Sequence, residues 1–202
     1  MSAVRRIALC AGLAAFLLVS LAAANEIEVR DAALRAVEEG LVLDADFEFE
    51  LNPRLAEVVS SGVPIYFRVD FELTRRRWYW FDETAAARRL QLRLSYHALS
   101  RQYRLSTGLL HQNFATLAEA LNVLKRVRNW LVVERTVTFA EADYDAAVRM
   151  RLDTALLPKP FQLSALTSRE LQLESAWRRF TVRSPRQAPA PVESREPAAA
   201  AR

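Results

Sequence analysis

The chain has 202 residues, one cysteine, two histidines and a formal net charge of +4, with 51% hydrophobic residues. A single cysteine excludes internal disulfides and thiolate metal clusters. The surplus charge belongs to the ends: without Arg5 and Arg6 and the stretch from Arg183 onward, basic and acidic residues balance, so the body lacks the overall basic bias of a nucleic-acid-binding domain.

The first 24 residues have the form of a secretory signal. Arg5 and Arg6 supply the positive start, Ile7–Leu21 is uncharged and apolar, and Ala22-Ala23-Ala24 offers a small-residue cleavage site. The mature chain would then begin at Asn25, exported from the cytoplasm, with Cys10 removed. An uncleaved inner-membrane anchor is the competing reading, because Ile7–Ala24 is 18 residues without a charge, the lower limit for crossing a bilayer. The small residues that end the run favour cleavage.

The body, 25–183, is expected to form one β-rich domain. Glu38-Glu39-Gly40 has the composition of a hairpin turn. Leu41, Leu43, Ala45, Phe47, Phe49 and Leu51 then alternate with Asp44, Asp46, Glu48 and Glu50, the period-two signature of a strand with one buried and one solvated face. Asn52 and Pro53 open a short helix with Leu55, Val58 and Val59 on its apolar side, closed by Gly62 and Pro64. A second alternating run follows, with Val63, Ile65, Phe67, Val69, Phe71 and Leu73 on one face and Tyr66, Arg68, Asp70, Glu72 and Thr74 on the other.

Arg75-Arg76-Arg77-Trp78-Tyr79-Trp80-Phe81-Asp82 is the unusual segment. Extended, it is aromatic on both faces, and aromatic residues beside arginines commonly anchor interfaces. Arg75, Arg77, Trp78 and Trp80 are therefore candidate interaction residues. Leu90, Leu92, Leu94 and Tyr96 predict a further strand. A second helix is expected from Thr116, with Glu119 completing a capping box. Leu117, Leu121, Leu124 and Val127 form its stripe, and Lys125, Arg126 and Arg128 fall in its last turns. Val148, Met150 and Leu152 predict another strand, and Leu171 and Leu173 end the series. In Leu157-Pro158-Lys159-Pro160-Phe161 the prolines predict an extended connector that presents Lys159, a further candidate for the interaction surface. Residues 184–202 are rich in proline and alanine, contain no aromatic residue and predict a disordered tail.

No catalytic, cofactor-binding or metal-binding residue is assigned. Strand carboxylates two residues apart are about 6.5–7 Å from one another, too far to wrap a calcium ion, so Asp44, Asp46, Glu48 and Glu50 are expected to pair with arginines such as Arg68, Arg93, Arg149 or Arg151. His97, on a polar strand face, and His111, in the connection before the second helix, have no metal-site spacing. Nucleophile elbows and phosphate-binding glycine loops are absent.

Gly62-Val63-Pro64-Ile65-Tyr66-Phe67, Arg77-Trp78-Tyr79-Trp80-Phe81-Asp82, Leu94-Ser95-Tyr96-His97-Ala98-Leu99 and Leu157–Leu166 together resemble the domain of unknown function 4390 family, a set of proteobacterial exported proteins also labelled proline-rich signal peptide proteins. The resemblance covers about Asn25 to Val182. Phe161 stands where leucine is commoner in the family. The resemblance implies no activity, catalytic residue or cofactor, and a gene neighbourhood beside a membrane-bound sensor kinase.

The expected fold is mainly β or α+β, an antiparallel β-sandwich or half-open barrel with two short helices. The leading functional expectation is a non-enzymatic periplasmic interaction module with an envelope protein partner. It needs no cofactor or nucleic acid, and no transmembrane helix remains after signal cleavage. The alternatives are a binder of an apolar or lipid-like ligand and a carboxylate-based hydrolase.

Overall fold

The computed structural model describes residues 26–75, 83–136, 142–159, 161–162 and 172–183. The leader, the tail, Arg77, Trp78, Trp80, Pro160 and Leu171 lie outside them. The order along the chain is β1 (Glu28–Val37), β2 (Gly40–Glu48), α1 (Pro53–Ser60), β3 (Ile65–Arg75), β4 (Glu83–His97), β5 (Gln102–Thr107), β6 (Leu110–Phe114), α2 (Leu117–Leu124), β7 (Arg126–Glu134), β8 (Asp143–Leu152), a 3-10 turn (Thr154–Leu156) and β9 (Arg178–Arg183).

The described strands form two antiparallel sheets, one of three strands in the order β1-β2-β7 and one of six in the order β6-β5-β4-β3-β8-β9. The fold is mainly β, and the described strands close no barrel. Their inner faces share one core. Leu41, Leu43, Ala45 and Phe47 of β2 meet Ile65, Phe67, Val69, Phe71 and Leu73 of β3, with Val148 and Met150 of β8 beside them. Phe71 and Trp130 of β7 make an edge-on ring contact across the sheets at 6.4 Å, and Arg88 of β4 pairs with Glu134 of β7 at 2.9 Å.

The alternation predicted for β2 and β3 is observed as burial. The β3 residues Ile65, Phe67, Val69, Phe71 and Leu73 are at most 1% exposed, because β3 is a central strand paired on both sides by β4 and β8. Asn52 caps α1 as expected, its side-chain oxygen accepting from Leu55 N–H at 2.8 Å, and the helix buries Leu55, Val58 and Val59.

Several expectations are corrected. α2 ends at Leu124, and Arg126 and Arg128 belong to β7 rather than to the helix. The Lys125 carbonyl accepts Phe47 N–H of β2 at 2.8 Å, which draws the chain into the three-stranded sheet at once. Glu119 receives Ala115 N–H at 3.2 Å, one residue before the cap, while Thr116 accepts Glu119 N–H at 3.2 Å. His111 lies in β6, not in a connection. Pro158 begins a helical turn instead of an extended connector: Phe161 and Gln162 N–H donate to its carbonyl at 2.9 and 3.2 Å. Pro158 fits there because the start of a helix requires no internal N–H donor.

β1, β5, β6, β7 and β9 have no counterpart in the sequence reading, and β4 begins seven residues before Leu90. β1, β6, β7 and β9 are edge strands. An edge strand is less fully enclosed than a central one, so burial imposes a weaker alternation on its sequence.

Glu38 and Glu39 form a two-residue turn between Val37 and Gly40. Gly40 has φ +144°, and a Cβ there would lie 2.0 Å from the Val133 carbonyl oxygen. Two constraints therefore require glycine, one conformational and one steric. Gly40→Ala is expected to lower the unfolding free energy by about 3 kcal/mol. Urea denaturation measures it, and a loss below about 1 kcal/mol would show that β2 and β7 do not approach so closely.

Candidate functional site

Of the candidates named from sequence, Arg75 and Lys159 are described. Arg75 ends β3 and pairs with Glu83 at 3.3 Å, while Lys159 is exposed on the helical turn. No described hydrogen bond or ion pair joins them.

The acidic stripe of β2 is a structural network. Asp44 accepts Arg35 Nε at 2.7 Å and Asn129 N–H at 2.8 Å, and Arg35 also donates to Asn129 Oδ1 at 2.6 Å. These bonds hold Asn129 at φ +52° inside β7, a conformation asparagine tolerates better than most residues. Asp46 pairs with Arg128, and Glu48 with Lys125 at 2.7 Å. The expected partners Arg68, Arg149 and Arg151 instead meet a different carboxylate.

That carboxylate is Asp70, on the outer face of the six-stranded sheet. Its side chain is 8% exposed. Strand register places it directly opposite Arg89 of β4 and Arg149 of β8, with Arg68 and Arg151 opposed one step along. Arg149 Nε donates to Asp70 Oδ2 at 3.1 Å. Arg68 Nε and Arg151 Nε each stand 3.3 Å from an Asp70 oxygen, and Arg89 Nε stands at 3.6 Å. Arg68 also reaches Asp153 at 3.6 Å.

Four guanidinium groups thus face two carboxylates. The buried Nε atoms of Arg68 and Arg151 make no hydrogen bond among the described residues, although each stands 3.3 Å from an Asp70 oxygen. Arg149 is backed by the Trp177 ring at 4.4 Å, which holds its guanidinium in place.

Two grooves flank this cluster. The first lies over β4, β5 and β6 on the outer face, with a volume of about 740 Å³. Tyr66, Arg89, Arg93, His97, Arg104 and His111 line it, and no carboxylate is among its described lining residues. The second lies on the inner side, between β4–β6 and α2–β7, with a volume of about 410 Å³ and a mostly apolar lining. It exists because β7 ends the smaller sheet while β5 and β6 extend the larger one beyond it. Among the described residues, no three His, Cys, Asp or Glu side chains gather as a metal site would require, and no helix is long and apolar enough to cross a membrane.

Sequence reading singled out Arg68, Arg149 and Arg151 but assigned them to the wrong acid, and Arg93, named with them, lies over the Tyr66 ring instead. The missing information was register. Arginines on the polar faces of β3 and β8 were visible as Arg68-x-Asp70 and Arg149-x-Arg151, yet only pairing shows that they converge.

Two outcomes follow from these charges. The Asp44 carboxyl is held below the usual carboxylate range, chiefly by its hydrogen bond from Arg35, with partial burial opposing. Glu48 is lowered chiefly by its hydrogen bond from Lys125. A depressed folded pKa contributes stability above the unfolded value of about 4, and that contribution is lost as pH falls through the folded pKa. Acid unfolding of the wild type should therefore steepen below about pH 4, and Asp44→Asn should flatten that slope. Equal slopes would contradict the assignment. At neutral pH, Asp70→Asn leaves the arginines facing one another and should cost about 3 kcal/mol. Added salt should reduce that cost by screening, and a loss unaffected by salt would show that arginine repulsion is not its cause.

A family model described as a domain of unknown function, DUF4390, matches residues 24–181. No curated protein and no solved structure matches. The match covers most of the chain, and the chain belongs to the DUF4390 family.

Proposed function

We propose that this chain is a non-enzymatic interaction module of the periplasm, and that the arginine field around Asp70 docks an acidic surface of an envelope protein. The observation that carries this reading is the charge imbalance at Asp70, where four guanidinium groups face two carboxylates and Arg89 among them is 77% exposed. Arginine is suited to such a role because its planar donors match carboxylates in pairs. The apolar leader Ile7–Leu21 with its small-residue ending supports export. The ion-paired state of Asp44, Asp46 and Glu48 weighs against their acting together as a hydrolase. The family resemblance makes a membrane-bound sensor kinase a natural partner to test first.

A second reading, binding of an apolar or lipid-like ligand, is favoured by the leucine-lined groove between the sheets.

The test is recovery of partners by the tagged chain from cross-linked periplasmic and membrane fractions. Arg89 is 77% exposed, so Arg89→Glu reverses the surface charge with little demand on the fold. We expect the native chain in the periplasmic fraction and recovery of an envelope partner that weakens with salt. The Arg89→Glu variant, melting like the wild type, should lose at least about tenfold of that recovery. Cytosolic location would overturn the assigned compartment, and undiminished recovery by the variant would overturn the docking face.

A further inference from the structure

We infer that the two grooves beside the β5–β6 hairpin form one binding site for a single anionic amphiphile, a molecule with an acyl chain and an acidic head. This deepens the second reading above. It is independent of the protein-docking face, except that Arg89 borders both.

The grooves adjoin at the hairpin. Leu90, Thr107, Leu110 and His111 line both the inner and the outer one. Alternation along the strands sorts their chemistry. On β5, Leu105 and Thr107 point inward while Arg104 and Ser106 point outward, and on β4, Leu90 and Leu92 alternate with Arg89, Gln91 and Arg93. A ligand crossing the rim of the hairpin therefore passes from leucine to arginine within one strand width.

The inner groove suits a hydrocarbon chain. Leu92, Leu105, Val123, Leu124, Val127 and Trp130 are among its walls, and about 410 Å³ falls in the range of small-ligand sites. Its floor is buried, with Leu92, Leu105, Leu124 and Val127 at most 7% exposed, while Val123 at its edge is 40% exposed. Leu110, at its mouth, is 78% exposed, and Leu109 beside it is fully exposed. Adjacent exposed leucines at the entrance to an apolar groove point to an apolar occupant.

Charge selects the head. Neither groove has a carboxylate among its described lining residues, while the outer one carries Arg89, Arg93 and Arg104 and the inner one Arg126, its Arg128 being paired with Asp46. Arg93 stacks over Tyr66 at 6.0 Å and Arg104 donates to Asn113 at 3.0 Å, so both are oriented, and neither makes an ion pair among the described residues. An uncharged lipid would leave this rim unused, and an inorganic anion would leave the leucine groove unused.

The experiment titrates the purified full chain, stripped of lipid, by calorimetry with monomeric dodecyl phosphate, oleate, inorganic phosphate and uncharged dodecyl maltoside below their aggregation limits. We expect one-to-one binding of dodecyl phosphate and oleate, each at least about tenfold tighter than phosphate or the maltoside. Arg93→Glu and Leu110→Glu should each weaken dodecyl phosphate at least about tenfold while melting like the wild type. Arg93→Gln, which removes the charge without reversing it, provides the same reading if reversal unfolds the chain. Equal binding of phosphate and dodecyl phosphate, equal binding of the maltoside, or undiminished binding by the folded variants would overturn the proposal. Binding confined to phosphatidylglycerol vesicles, with none to the monomers, would assign a membrane surface instead and also overturn it. Loss of protein-partner recovery in Arg89→Glu with intact amphiphile binding would separate the two readings.

Discussion

Unequal width is the constraint on which the rest of this structure depends. Three strands pack against six, and a narrow sheet cannot bury the whole inner face of a wide one. β3 and β8 lie in the covered region and are buried almost completely along their apolar sides. β5 and β6 extend past it, and α2 closes only part of the gap. The open flank is the direct consequence, and with it come the leucine groove and the exposed Leu109 and Leu110.

A second consequence concerns charge. The body is neutral in total, yet antiparallel pairing sorts its ions by sheet. The smaller sheet uses its acids locally, with Asp44, Asp46 and Glu48 each held by a cation from β1, from β7 or from the end of α2. The larger sheet aligns Arg89, Asp70 and Arg149 across three adjacent strands. Burial of Asp70 makes its charge expensive to leave unpaired and draws the arginines inward, while their number exceeds what it can neutralise. Net charge per domain is blind to such segregation, because it averages over faces that never meet.

What the sequence disclosed depended on how fully each strand is enclosed. β2, β3, the second half of β4 and β8 bury one face against a complete layer, and their residues alternate accordingly. Leu43, Phe67 and Met150, all fully buried, are examples. β1 reads Glu-Val-Arg-Asp-Ala-Ala-Leu-Arg-Ala-Val and carries exposed residues on both faces, so no period emerged. β7 was partly absorbed into the preceding helix because Val127 continues the helical spacing of Leu117, Leu121 and Leu124, although the chain turns at Lys125. Short polar β6 gave no signal. The site was less legible than the fold. Both the arginine cluster and the meeting of the grooves at the hairpin depend on register between strands, which local spacing does not carry. Arg77, Trp78 and Trp80, the most conspicuous residues in the sequence, lie outside the described residues.

The openness of the flank between β6 and β7 is the central claim, and amide hydrogen exchange followed strand by strand tests it most directly. Interior strands β2, β3 and β8 should exchange slowly. β6, and those β7 amides not bonded to β2, should exchange markedly faster, as free sheet edges do. Uniformly slow exchange across β6 and β7 would mean that the two edges join into a closed barrel, and would contradict the account.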